Sequence, residues 1–327
     1  MPAAGFADTP IFSRRRKWAY VRDLLRWHAF SCLEKARGFP RERQLFRQVT
    51  GRELDLDGLP QVADKLVWKK LHDRNPLLPL VADKYRMRRY VQAVLGREAA
   101  EAFLVPLRHA TDDPSTIPFD ALADAYIIRV NHASRRNIMV RDPRRANRSQ
   151  IVAQCRSWLN RPYGLKLHEW AYQPIERKVV VETLLLDDDG NLPSDYKFYV
   201  IHGKCRLIMA VYGRHTKTHY GYYLPDWEPV EVEGQHGLLA SRQARPERLD
   251  EMLRMGEALG KHFDFIRVDC YLVQGRIYVG ELTNYPEAGY INWQPKDARI
   301  RLGAHWNLEP GYWRHDAHIR MLDLSGN

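Results

Sequence analysis

The stretch FIRVDCYLVQGRIYVGELTN (265–284) constrains this chain more than any other. Arg267, Asp269 and Tyr271 alternate with Val268, Cys270 and Leu272, which is the period of a β-strand, so the three polar side chains share one face. Gln274-Gly275 interrupts the run, and the alternation resumes through Arg276–Leu282 with Glu281 and Thr283 on one face, the pattern of a hairpin. With the turn at Gly275, Asp269 and Glu281 fall almost opposite each other. Two carboxylates and a neutral oxygen then lie within reach of one hard cation. Mg²⁺ takes such ligands, commonly one or two carboxylates completed by nucleotide phosphates. Arg267, one pleat away, has the planar fork that grips a phosphoryl group. Spacing alone leaves a second reading open, an exposed strand face on which Arg267 simply pairs with Asp269 or Glu281.

The rest of the chain places this hairpin late in an α-then-β order. Residues 60–74, 81–95 and 144–159 read as helices, with Asn75-Pro76 and Gly96 as stops. Gly38, Pro40 and the charged 41–53 region read as a break. Strands are expected at Phe103–Pro106, Tyr126–Val130, Asn137–Val140 and Val179–Leu186. A second hairpin, Tyr196–Ile201 and Arg206–Tyr212, turns at His202-Gly203-Lys204, and a helix at 246–262 separates the two hairpins. No internal repeat or low-complexity segment occurs. This order predicts an α+β protein. At 327 residues and 45% hydrophobic content there is enough apolar side chain for one large core or two to three modest ones. No run approaches the roughly 20 apolar residues that span a bilayer, and no apolar segment follows the N-terminal basic cluster as a secretory signal would. Cys32, Cys155, Cys205 and Cys270 show no paired spacing and read as reduced thiols of a cytoplasmic protein. The histidines show no zinc-binding spacing.

Charge is uneven. Residues 1–48 carry 11 Lys/Arg against 4 Asp/Glu, which is +7 of the net +11. The remainder is nearly balanced, which argues against a nucleic-acid partner. Residues 1–13 read as a disordered start. From Arg14-Arg15-Arg16-Lys17 a helix follows, with Trp18, Val21, Leu25, His28 and Cys32 at helical spacing. Such a helix either lies on an anionic membrane through residues 14–35 or packs on its own domain with a solvated basic face.

The segments VWKKLHDRNPLLPLVADKYRMRRYV (67–91), AYIIRVNH (125–132), LPSDYKFYVIHGK (192–204) and FIRVDCYLVQGRIYVGELT (265–283) together resemble the TupA-like branch of the ATP-grasp proteins, named for a teichuronopeptide biosynthesis protein. The resemblance covers roughly residues 60–305. It implies two α+β subdomains gripping ATP, the smaller over 81–185 and the larger over 186–327, behind a helical N-terminal region of residues 1–80. It implies that Lys84 and Lys197 approach the phosphates, that Glu182 meets the adenine beside an apolar wall at 179–186, and that Asp195 lies near the ribose. Asp269, Glu281 and Thr283 or Asn284 would hold Mg²⁺, and Arg267 would stabilise the transferring phosphoryl group. Arg129 stands where the family usually has lysine, and the loop Ala133–Asn137 lacks the usual glycine, so Arg135 and Arg136 would replace close backbone approach with charge. Arg214, Lys217 and His219 are candidates for an acidic small-molecule or glycan acceptor.

The resemblance implies an ATP- and Mg²⁺-dependent carboxylate–amine ligase of cell-surface polysaccharide or peptide-polymer biosynthesis. The enzyme would be cytoplasmic and in peripheral contact with the inner membrane face. The alternatives are a sugar-transferring or sugar-phosphorylating enzyme of the same pathways, or a nucleotide-binding protein without turnover.

Overall fold

The structure, a computed structural model, describes residues 14–214, 217–230, 243–292 and 302–316. The expected disordered start at 1–13 lies outside the described residues, as do His215 and Thr216 of the donor-rich segment and the side chains of 14–17 and 19. In chain order the helices are α1 (Arg14–Ala36), α2 (Pro40–Thr50), α3 (Val62–His72), α4 (Leu77–Ala82), α5 (Met87–Leu95) and α6 (Arg97–Phe103). Then come β1 (Leu107–Thr111), β2 (Tyr126–Val130), β3 (Asn137–Val140), α7 (Arg148–Leu159) and β4 (Val179–Thr183). The last third contains β5 (Asp195–Ile201), β6 (Lys204–Tyr212), β7 (His219–Tyr223), α8 (Leu249–Gly260), β8 (Phe265–Val273) and β9 (Arg276–Thr283). The class is α+β.

Two antiparallel sheets carry the molecule. The smaller runs β1-β4-β2-β3 and the larger β7-β6-β5-β8-β9. The small sheet buries Ile128, Val130, Val179 and Val181 against Ile151, Cys155 and Leu159 of α7. The large sheet is covered on both faces. Phe198, Val200, Ile208, Ile266 and Val268 meet α8 and α4–α6 on one face. Tyr199, Ile201, Leu207, Met209 and Phe265 meet Val62 and Leu66 of α3 with Ile291 and Trp306 on the other. Each fully buried aliphatic side chain of this kind contributes about 1.5–3 kcal/mol, so β5 and β8, buried along most of their length, form a rigid platform for polar side chains.

Several local expectations are corrected. The charged 41–53 region is not a break, because Pro40 opens α2 and Gly51, at φ 70°, closes it. The helix expected over 81–95 is two helices, with Lys84 in the turn between them rather than in a helix. Asp83 causes the break by accepting the backbone N–H groups of Tyr85 and Arg86, a local alternative to helical bonding. Phe103 ends α6 and only Leu104 of the expected strand bridges to Val279, so the strand itself begins at Leu107. The helix expected from 144 starts at Arg148, capped by Asn147. From α4 to α6, Val81, Met87, Tyr90, Val91, Ala100 and Leu104 pack in the core of the large sheet.

Helix α1 forms, but its apolar stripe does not pack. Trp18, Val21 and Leu25 are 74%, 41% and 64% exposed, and Cys32 is exposed as well. The inward face carries Asp23, Trp27 and Glu34. Arg177 donates to Asp23 at 3.0 Å, and Glu34 lies 3.6 Å from His168 and accepts the backbone N–H of Arg41.

Candidate active site

The β8–β9 hairpin sets the site. From the turn outward, Val273 pairs with Arg276 and Cys270 with Val279, after which the register shifts and Asp269 pairs with Glu281 and Arg267 with Thr283. Gly280 is the extra residue. A bulge of this kind re-aims the side chains beyond it, and here it converts near-opposition of Asp269 and Glu281 into a direct pair. A side chain at 280 would have its Cβ 2.7 Å from the Tyr271 ring, so only glycine lets that ring lie over the bulge. The Arg267 fork donates to both oxygens of Asp269, Nε to Oδ1 at 2.6 Å and a terminal nitrogen to Oδ2 at 2.7 Å. The same nitrogen reaches Thr283 Oγ1 at 3.2 Å and Glu281 Oε1 at 3.4 Å. Burial opposes the Arg267 charge, and Asp269, Tyr199 and Glu281 together more than reverse that.

The neighbouring strand β5 adds Lys197, in register with Asp269, and Asp195, in register with Tyr271. Lys197 Nζ donates to Asp269 Oδ2 at 2.7 Å and to Asp195 Oδ2. Arg214 lies 3.7 Å from the same Asp195 oxygen, with its guanidinium 6.0 Å from the centre of the Tyr271 ring. The other Asp195 oxygen, Oδ1, is buried with no hydrogen-bond partner among the described residues. Glu281 is the accessible carboxylate, with its side chain 31% exposed. Burial pushes its pKa up, but Lys84, Arg267, Lys197 and Arg129 outweigh that and bring it to about 2.

Lys84 comes from the α4–α5 turn. Asn131 at the end of β2 donates to Asp83 Oδ1 at 2.9 Å, and its carbonyl accepts the Lys84 N–H at 3.1 Å, which ties that turn to the small sheet. The Lys84 ammonium lies 3.7 Å from Glu281 Oε2 and donates to the carbonyl of Ala133 at 3.0 Å. In the small sheet, Arg129 of β2 donates through Nε to Glu182 Oε2 of β4 at 2.8 Å and through a second nitrogen to the same oxygen. Arg88 of α5 holds the other Glu182 oxygen at 3.4 Å. The glycine-free loop has a backbone consequence: Arg135 stands at φ 58°, in the left-handed region that glycine occupies without strain. Arg136 turns away, donating to the carbonyl of Arg161 at 3.0 Å, while Arg135 is exposed.

The structure therefore brings together Lys84, Arg129, Glu182, Asp195, Lys197, Arg214, Arg267, Asp269, Glu281 and Thr283. Asn284 is buried, with its amide donating to the carbonyl of Leu78 at 2.8 Å and its Oδ1 without a partner among the described residues. Lys217 is exposed in the β6–β7 connection, and His219, half-buried, opens β7. Sequence reasoning missed Arg88, because the charge partner that gives it meaning is 94 residues away. It also missed the Asp83–Asn131 link, whose one local signal is an Asp at the start of a turn.

The donor chemistry fits a nucleotide and a hard cation. Asp269, Glu281 and Thr283 present oxygen to a common space, the set that Mg²⁺ takes with phosphates. The orphaned Asp195 Oδ1 is a buried acceptor suited to a hydroxyl. Among the described residues there is no cluster of three or more His, Cys, Asp or Glu that could hold a metal ion.

A two-sheet protein that gathers phosphate-seeking cations from both sheets around paired carboxylates has the layout of the ATP-grasp class. The profile described as TupA-like ATPgrasp matches residues 64–307, and the chain belongs to that family. Among solved structures, a Bacillus anthracis D-alanine–D-alanine ligase complexed with ATP is 15% identical, covering 76% of this chain and 68% of that one at TM-score 0.41. A second structure of a ligase with that name from the same organism is 16% identical, covering 63% and 57% at TM-score 0.36. The ATP-grasp ligase PsnB complexed with a minimal precursor is 14% identical, covering 71% and 61% at TM-score 0.35. The chain thus spans between 57% and 68% of the length of these proteins. The family match, not these distant likenesses, establishes membership. A comparison with curated proteins finds no match.

Proposed function

We propose that this protein is an ADP-forming carboxylate–amine ligase. Substrate carboxylate oxygen attacks the γ-phosphorus of ATP, ADP leaves, and an acyl phosphate remains. An amine then attacks the acyl carbon, phosphate leaves, the amine proton is lost to solvent, and an amide results. The observation that carries this reading is the Arg267 fork, shared by Asp269, Glu281 and Thr283 on one strand face beside Lys197 and Lys84. Phosphoryl transfer is catalysed chiefly by positioning and by cationic charge on the equatorial oxygens. Arg267 serves as the donor to the transferring phosphoryl group, and its buried ion pairs fix the fork beforehand, so no reorganisation is needed during reaction.

Lys84, Arg129 and Lys197 hold the phosphates. Asp195 accepts from the ribose through Oδ1, and the apolar run at 179–186 walls the adenine. Glu182, with both oxygens committed to Arg129 and Arg88, contributes by aiming those cations. Asp269 and Glu281, with Thr283 as the neutral oxygen, would hold Mg²⁺, which supplies charge neutralisation on the phosphates; Asn284, buried on Leu78, stands outside that set. We assign Arg214, Lys217 and His219 to an acidic acceptor, a uronic acid or amino acid unit of a cell-surface polysaccharide or peptide polymer. Work on such acceptors suits a place at the inner membrane face. The grip is proposed to divide near Leu107, because α4–α6 pack with the large sheet.

The test is incubation with ATP, Mg²⁺, a panel of uronic acids and mixed amino acids, read by mass spectrometry. ADP with an amide supports the reading. ADP with a phosphorylated sugar makes the protein a sugar kinase, a sugar-transfer product makes it a transferase, and no nucleotide consumption leaves a binding protein.

A further inference from the structure

Helix α1 carries apolar side chains on both sides, and the outer set has no cover among the described residues. A helix that packs on its own domain turns its apolar stripe inward. Here the large apolar side chains Trp18, Leu25 and Leu33 face outward at 74%, 64% and 50% exposure. The inward face is held by Trp27, by Phe30 stacked on His168 at 4.9 Å, and by two buried acids, Asp23 on Arg177 at 3.0 Å and Glu34 beside His168 at 3.6 Å. Asp23 and Glu34 are the only acidic residues in the helix sequence. Every charge that the described side chains turn outward is therefore basic, with Arg26, Lys35 and Arg22, which also reaches Asp23 at 3.3 Å, around the apolar strip.

We infer that the outer face of α1 is a docking surface for an anionic lipid bilayer. Charge complementarity selects this occupant. Two copies pairing through α1 would bring like charges together, with no acid on the face to answer them. Lipid headgroups answer Arg22, Arg26 and Lys35, while Trp18 and Leu25 reach the acyl boundary, the arrangement of an interfacial helix. Trp is favoured at that depth because its ring is amphipathic. The anchoring acids lie on the opposite side, so docking needs no rearrangement of the domain. The inference stands on α1 alone and is independent of the ligase reading.

The test is co-sedimentation of the full chain with phosphatidylcholine vesicles, with and without phosphatidylglycerol, at low and high salt. The expected result is binding that requires phosphatidylglycerol and is released by salt. Each basic residue near an anionic surface is worth roughly fivefold in partition, so Arg22→Gln/Arg26→Gln should bind about thirtyfold more weakly. Trp18→Ser/Leu25→Ser should also lose binding at low salt. These side chains are exposed, so both variants should keep the wild-type unfolding midpoint. Failure of the wild type to bind at low salt, or undiminished binding by both variants, overturns the inference. So does concentration-dependent self-association in sedimentation velocity that Trp18→Ser/Leu25→Ser abolishes, which would make the occupant a second copy.

Discussion

The two sheets solve one electrostatic problem by different routes. Each buries a carboxylate clamped by two cations, Glu182 by Arg129 and Arg88 in the small sheet, Asp269 by Arg267 and Lys197 in the large one. Around the small-sheet clamp Lys84 joins the cations nearby, so this side favours anions. In the large sheet Asp195 and Glu281 flank the clamped Asp269, so the same recipe leaves carboxylate oxygen to spare. One side is suited to phosphate and the other to phosphate together with a cation. The difference lies in what surrounds the clamp, since a lone buried ion pair is weak grounds for stability and serves better to fix geometry.

Substitutions at the two clamps should break this comparison most sharply. Arg267→Lys keeps the charge but loses the fork, and turnover should fall by about 10²-fold or more. Glu281→Gln should abolish Mg²⁺-dependent turnover with the unfolding midpoint unchanged, and Asp269→Asn should abolish it while also destabilising, because it strips Arg267 and Lys197 of their buried partner. Steady-state kinetics and thermal melts read all three, and full activity in any one removes its residue from the site. In the small sheet, Glu182→Gln leaves Arg129 and Arg88 facing each other unpaired. Stability should fall by about 3 kcal/mol in urea titrations, and the KM for ATP should rise more than kcat falls. An unchanged stability would show that the small-sheet clamp does not hold the sheet's cations in place.

A buried carboxyl without a clamp sharpens the contrast. Burial pushes Glu169 up to about 7, with Lys70 as its nearby cation and Glu42 repelling it, whereas Glu281 is drawn down to about 2. The folded chain therefore holds the Glu169 proton more tightly than the unfolded chain, whose group titrates near the ordinary 4.5. Its contribution to stability is present below that value and is lost as pH rises through about 7. Glu169→Gln should flatten this fall, on the order of 2 kcal/mol between pH 5 and pH 8. Equal pH profiles would place the titration elsewhere. The smallest effect concerns Arg135. Arg135→Gly removes charge and backbone strain, while Arg135→Ala removes charge alone, so glycine should be the more stable by about 1 kcal/mol. Both should weaken nucleotide binding alike, and a difference in calorimetric affinity between them would assign the loop's effect to its backbone.

The sequence by itself determined what depends on neighbours along the chain. Period-two alternation and the turn at Gly275 place Arg267, Asp269 and Glu281 on one face, and the same reasoning finds β2, β3 and β5 within a residue of their bounds. Tertiary structure alone decided the partnerships across long separations. Lys197 meets Asp269 across 72 residues, Arg129 meets Glu182 across 53, and Arg88 meets Glu182 across 94. It also decided the bulge at Gly280, which depends on the Tyr271 ring above it, and the direction in which α1 faces. Helical spacing puts Trp18, Val21 and Leu25 on one side of α1 but does not say which side the protein covers. Two buried acids with distant neighbours, Asp23 on Arg177 and Glu34 beside His168, settle that choice, because a buried carboxylate needs partners that only the fold brings to it.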